Sequence, residues 1–156
     1  MRNPSLPAEG PPYTVLFVCI GNACRSPMAE AIARQDAQDV IKPLSAGIAA
    51  LGFVVETTKE TLAANGYTTE ELQSKPLTEK LWDAAHVIVN MTGRPSESLF
   101  RSFNTPRRVE DWLVLDPYGE RGATFQKVCE ELQQRVADLA ERLRAQDEGG
   151  RNPFPK

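Results

Sequence analysis

Histidine is almost missing from this chain: among 156 residues there is one, His86. Any Ser–His–Asp or Cys–His arrangement would have to use it. Cysteine is scarce as well. There are Cys19, Cys24 and Cys129 only, and an odd count argues against a disulfide framework. No two of them have the C-x-x-C spacing, and one histidine does not complete a ligand set, so no metal site is expected. No apolar run approaches the length of a transmembrane helix, and no apolar signal-peptide stretch opens the chain. We therefore expect a cytoplasmic protein without a membrane partner. An excess of positive charge is also absent. Lys and Arg total 18 against 21 Asp and Glu, mixed along the chain, which speaks against a nucleic-acid partner. Internal repeats and linkers are lacking, and this length suits one domain with one hydrophobic core.

What is present is an alternation of strand and helix patterns between two proline- and glycine-rich ends. Residues 1–12 hold four prolines and no periodic apolar pattern, and residues 146–156 read the same way. Both are expected to be disordered tails, leaving 13–145 as the domain. "YTVLFV" (13–18) is short, apolar and β-branched, as a buried strand should be. A helix is expected over 26–38, with Ser26 as its cap and Pro27 at its first position. Residues 42–48 read as a strand. Thr57-x-x-Glu60 looks like a capping box, for a helix ending at Asn65-Gly66. Helices over 78–85 and 96–103 and strands over 86–91 and 107–114 follow. The last helix, 123–145, carries Phe125, Val128, Cys129, Leu132, Val136, Leu139, Ala140 and Leu143 at spacings of three and four. Such alternation implies an α/β fold: a parallel sheet covered by helices on both faces, with ligands bound outside the carboxyl ends of the strands.

The loop after the first strand, "VCIGNACRSP" (18–27), lies at such an end. Cys19 closes a buried strand, and Ser26-Pro27 opens a helix. Exposed N–H groups at a helix start, together with the helix dipole, favour an anion. Gly21 and Asn22 tolerate unusual backbone angles and let the loop curl into a nest of donors. Arg25 adds a planar fork that matches two oxygens of a phosphate. The same positive surroundings should hold Cys19 as a thiolate, the nucleophilic form. Neither G-x-x-x-x-G-K-[ST] nor G-x-G-x-x-G is present, so this is neither a Walker loop nor a dinucleotide fingerprint. An ester oxygen leaves poorly as an anion, so the chemistry also calls for a positioned acid. Asp116 is the first candidate, with Asp111 and Asp83 as alternatives.

The run "CIGNACRSPMAEA" (19–31), with its C-x5-R-S pattern after a strand, resembles the low-molecular-weight protein tyrosine phosphatase family. The resemblance extends to "SAG" (45–47), "VIVNMT" (87–92) and "DPYG" (116–119), and covers residues 13–145. It implies a three-layer sandwich around a four-stranded parallel sheet, no cofactor, and phosphorylated proteins, phosphate or other oxyanions as partners. It also implies roles. Cys19 would be the nucleophile that becomes a phosphocysteine. Arg25 and the loop residues Ile20, Gly21, Asn22, Ala23 and Cys24 would hold the phosphate. Ser26 would hydrogen-bond the Cys19 sulfur. Asn22 and Ser45 would pin the loop. Asp116 would be acid and then base, and Tyr118 a wall of the cleft. Cys24 would be able to close a protective disulfide with Cys19.

Three activities fit that resemblance. Phosphotyrosine hydrolysis comes first. Phosphoarginine hydrolysis is suggested by Ala23, where the family's tyrosine phosphatases usually carry isoleucine and its arginine phosphatases threonine. "PLTE" (76–79) and "MT" (91–92) lean the same way. Arsenate reduction needs a relay of further cysteines, and none stands between Cys24 and Cys129. A module that only binds oxyanions would not need Cys19, Arg25, Ser26 and Asp116 together. Trp82, Trp112, His86 and Cys129 are read as structural.

Overall fold

The structure is a computed structural model that describes Pro7 and residues 10–148. Four strands form one parallel sheet in the order β2-β1-β3-β4. They are β1 (Tyr13–Cys19), β2 (Ile41–Gly47), β3 (Val87–Asn90) and β4 (Arg108–Asp111). The helices are α1 (Arg25–Asp36), α2 (Glu56–Ala64), α3 (Glu79–Ala84), α4 (Ser96–Leu99) and α5 (Gly122–Glu148).

β1 is buried along its whole length, and its side chains alternate between two cores. Tyr13, Val15, Phe17 and Cys19 face the layer of α1 and α5, with Met28, Ile32 and Phe125. Leu16 and Val18 face the other layer, with Trp82, Ile88 and Phe100. Trp82 stacks on Phe103 at 4.8 Å between ring centroids and donates its Nε1–H to Thr105 O at 2.7 Å. All eight residues of the expected stripe on α5 are at most 2% exposed. Truncating one of its leucines to alanine would cost about 2–5 kcal/mol.

The chain leaves β1 through α1 to β2 on one side, then crosses to β3 on the other. The order therefore reverses at β1, and a crevice opens above its carboxyl end. That topology puts residues 20–24 and the segments after β3 and β4 around one point.

Several local expectations change. α1 begins at Arg25 with Cys24 as its N-cap and no side-chain cap. Ser26 lies inside the helix, where it cannot cap, and its hydroxyl is engaged with Cys19 and Asn22. α2 begins at Glu56, so Thr57 lies inside it and the capping box does not form. Its end is as expected, with Gly66 at φ 87°. The 96–103 helix is a single turn, and β4 stops at Asp111 instead of 114. α5 continues through 146–148, so part of the expected tail is helix. Residues 1–6, 8, 9 and 149–156 of the two expected tails lie outside the described residues.

Candidate active site

The loop from Ile20 to Cys24 is shaped by the segment that follows β2. Ile48 N–H donates to Cys19 O (3.1 Å), Ala49 to Ile20 O (2.8 Å), Leu51 to Gly21 O (3.0 Å) and Val55 to Ala23 O (3.0 Å). Ser74 and Thr58 add hydroxyl donors to Gly21 O and Ala23 O. The carbonyls are thus drawn outward. In a trans peptide the N–H points opposite to the carbonyl, so the loop's N–H groups turn toward the inside of the curl. Among the described residues, none of the N–H groups of 20–24 is spent on a carbonyl. Such a nest suits an oxyanion.

Asn22 holds the curl. It stands at φ 48°, a left-handed angle that asparagine tolerates better than most residues. Its Oδ1 accepts from Lys75 N–H at 2.8 Å. A backbone N–H can only donate, so that bond fixes the amide orientation and sends Nδ2 to Ser26 Oγ at 2.7 Å. Ser26 Oγ in turn lies 2.9 Å from Cys19 Sγ. Because Asn22 donates to Ser26, the hydroxyl proton of Ser26 is free to point at the Cys19 sulfur. Gly47 explains the "SAG" run: a Cβ there would lie 2.7 Å from Ile20 O, too close for any side chain.

Arg25 is 5% exposed, and its donors are divided. Nη1 donates to Met91 O (2.5 Å) and Val114 O (3.2 Å). Nη2 lies 3.4 Å from Asp116 Oδ2, and Nε is buried without a hydrogen-bond partner among the described residues. One edge of the guanidinium is therefore tied to main chain, and the Nε edge remains for an anion. Asp116 is 47% exposed, and its Oδ1 accepts from Tyr118 N–H at 3.1 Å.

These groups line one cleft of about 270 Å³, with Ala49 and Leu51 completing it. The cleft brings together Cys19, Ile20, Gly21, Ala23, Cys24, Arg25, Asp116 and Tyr118. Asn22 and Ser26 are fully buried behind it. Ser45 is not a loop pin as expected: its hydroxyl donates to Glu30 of α1. Glu30 also takes Arg34, so this buried cluster fixes α1 to β2 and reaches the loop only through the helix. Asp111 is held by Asn90 and Ser96, and Asp83 lies on α3, so neither lines the cleft. His86 is structural, accepting Thr14 N–H at its Nδ1 (2.9 Å). Burial pushes the thiols of Cys24 and Cys129 up to about 11.

A model of the family described as low molecular weight phosphotyrosine protein phosphatase matches residues 14–148. The chain belongs to this family. The probable low molecular weight protein-tyrosine-phosphatase EpsP of Ralstonia nicotianae is 34% identical, over 85% of this chain and 97% of that one. Arsenate reductase 1 of Bacillus cereus is 31% identical, over 82% and 94%. The structure of the YwlE arginine phosphatase from Geobacillus stearothermophilus superposes with a TM-score of 0.81 at 25% identity, covering 90% of this chain and 99% of that one. The family is one of cysteine-dependent phosphatases, and Cys19 stands in the expected position for its nucleophile. The relatives carry three different activities in their names, so family membership leaves the substrate open. Among the described residues, no helix is long and apolar enough to cross a membrane.

Sequence reasoning missed Thr58, Ser74, Gly47 and Asn90, all of which shape the site. Glycine at 47 had a signal in the "SAG" run, but no physical reason attached to it. Thr58 and Ser74 act through bonds to residues 35 and 53 positions away, whereas Asn90 bonds mostly to its own following turn, at Thr92, Arg94 and Ser96.

Proposed function

We propose that this protein hydrolyses phosphotyrosine in proteins through a phosphocysteine intermediate at Cys19. The observation that carries this reading is the chemistry of the cleft. Its floor offers the loop N–H groups and the Nε edge of Arg25. Its walls are Ala23, Ala49, Leu51 and Tyr118, with Asp116 the only carboxylate among the described residues that line it. An apolar slot of this kind suits a flat aromatic ring above a phosphate.

In the first step the Cys19 sulfur attacks phosphorus, and the bond to the tyrosine oxygen breaks. Asp116 gives its proton to that oxygen as it leaves. Arg25 and the loop N–H groups hold the equatorial oxygens, where charge is spread in the transition state. The Ser26 hydroxyl donates to the sulfur and makes it a better leaving group. In the second step Asp116, now a carboxylate, takes a proton from water, which displaces phosphate from Cys19.

Phosphoarginine is the second reading. Ala23 leaves room beside the phosphate for a branched guanidinium, and the fold likeness to an arginine phosphatase supports it. Against it, a guanidinium needs acceptors, and among the described residues Asp116 is the one carboxylate lining the cleft. Arsenate reduction is less well supported, since Cys129 is buried on α5 within the core.

The test compares kcat/KM on one peptide carrying phosphotyrosine or phosphoarginine. A higher value for phosphotyrosine is expected, and the reverse would favour the second reading. Rapid acid quench and mass spectrometry should recover phosphate on Cys19. Phosphate recovered on another residue would remove Cys19 as the nucleophile.

A further inference from the structure

The site depends on the Nη1 edge of Arg25 being held while its Nε edge stays open. Two carbonyls hold it, Met91 O after β3 and Val114 O after β4. Neither belongs to the loop or to α1, so something must fix both segments relative to Arg25. One side chain bonds close to both carbonyls, at Thr92 next to Met91 and at Asp111 three residues before Val114.

Asn90 is the last residue of β3 and is 3% exposed. Its Oδ1 accepts from Thr92 N–H (3.0 Å) and Thr92 Oγ1 (2.7 Å), closing a turn around Met91. Its Nδ2 is within reach of Arg94 O (2.9 Å), Asp111 Oδ1 (3.0 Å) and Ser96 Oγ (3.1 Å). The protons balance, because Ser96 gives its own proton to Asp111 and Thr92 Oγ1 accepts from Arg94 N–H. The main chain of Asn90 adds a further tie, its carbonyl accepting from Trp112 N–H at 2.9 Å. Its amide orientation is forced. Thr92 N–H can only donate to it, and Arg94 O can only accept from it.

One buried amide therefore wraps the turn that presents Met91 O. The same amide clamps Asp111, three residues before Val114 and five before Asp116. We propose that Asn90 is the positioning residue for Arg25: it sets both carbonyls that aim the guanidinium at the substrate's phosphoryl oxygens. The inference rests on the reading of Arg25 as the oxyanion clamp. Asn90 touches no substrate and acts only through Met91 and the β4 segment.

The decisive variant is Asn90→Asp. It keeps the shape but sets a carboxylate oxygen against Arg94 O and Asp111, with no proton between them. Two quantities are read: inorganic phosphate binding by calorimetry, well below each variant's melting temperature, and turnover of p-nitrophenyl phosphate. We expect phosphate binding to weaken about 10-fold and kcat to fall roughly 10–100-fold, since a displacement of about 1 Å at such a group can cost 10²-fold. The double variant Asn90→Asp with Asp111→Asn restores one proton between the two positions. It should recover phosphate binding to within about threefold of the parent. A merely structural role would lower the melting temperature and leave phosphate affinity of the folded protein unchanged.

Thr92→Val supplies a milder second variant should Asn90→Asp not fold. It is close to isosteric, removes the hydroxyl on Asn90 Oδ1, and should weaken phosphate binding about 3- to 10-fold. Phosphate affinity within twofold of the parent in Thr92→Val, or in a folded Asn90→Asp, overturns the proposal. A parent that neither binds phosphate nor turns over p-nitrophenyl phosphate brings down the reading of the site itself, and this inference with it.

Discussion

The two sides of the cleft are built to opposite standards. On the floor, the carbonyls of Cys19, Ile20, Gly21 and Ala23 are each satisfied by the segment after β2, and Asn22, Ser26 and Arg25 are buried. On the rim, Asp116 is half exposed and held by one backbone N–H and a 3.4 Å contact with Arg25. Tyr118 beside it is 54% exposed. The difference follows from the work each side is proposed to do. Oxyanion binding gains from donors that need no rearrangement when charge develops. A proton carrier must serve first a leaving group and then a water, so it gains from looser support.

The largest effect should come from breaking the floor. Cys19→Ser replaces a strong nucleophile by a weak one and keeps the cradle. Turnover of p-nitrophenyl phosphate should fall by at least about 10³-fold, while phosphate binding stays within about threefold. Arg25→Ala should lose both, with phosphate binding weakened roughly 10²-fold. Turnover by Cys19→Ser above a trace would remove the covalent mechanism.

Breaking the rim should cost less, and unequally. Asp116→Asn should lower kcat on phosphotyrosine roughly 10²–10³-fold. p-Nitrophenolate leaves with little help, so its loss should be about tenfold smaller. Paired rate measurements on the two substrates read this. Equal losses would instead assign Asp116 to the second step or to the Arg25 contact alone.

Ala23 lies where floor and wall meet, and it sharpens the comparison. Ala23→Ile narrows the cleft beside the phosphate. It should raise the preference for phosphotyrosine over phosphoarginine by about 10- to 200-fold in relative kcat/KM, even if both rates fall. The measurement is that ratio in parent and variant. An unchanged ratio would move selectivity to Tyr118 and remove Ala23 as support for the arginine reading.

How much of this was legible in the sequence depends on the range of the interaction. β1 and α5 were readable because burial writes itself locally, as an apolar run and as a stripe. The loop was readable because its chemistry is packed into residues 19–26. Ser26 was misread as a cap for a good local reason, since Ser-Pro at a helix start usually means that, whereas its contact with Cys19 was expected from the family resemblance alone. Ser45 was expected at the loop and bonds Glu30, because register, not spacing, decides what a strand residue faces. The tie from Arg25 to Val114 spans 89 residues, and that from Thr58 to Ala23 spans 35. No pattern in a single sequence announces such pairs, and Asn90, whose bonds span 2 to 21 residues, passed as one more polar residue at a strand end.

The smallest effect concerns the thiol beside the nucleophile, and it has a definite pH sign. Cys24 lies in the same buried loop as Cys19, and burial pushes its thiol up to about 11, with Asp116 adding to the shift. Peroxide would convert the Cys19 sulfur to a sulfenic acid. Cys24 would then attack that sulfur, forming the disulfide and releasing hydroxide, which ends as water. Attack needs the Cys24 thiolate, and below its raised value the thiolate fraction grows tenfold for each pH unit. Closure should therefore be slow at neutral pH and speed up about tenfold per unit between pH 7 and 9. Rapid alkylation and mass spectrometry after a peroxide pulse would follow it. In Cys24→Ala the loss of activity should become largely irreversible, because the sulfenic acid goes on to higher oxides. A closure rate flat in pH, a Cys19–Cys129 link, or full recovery of the variant by reductant would show that the floor protects its nucleophile by some route other than Cys24.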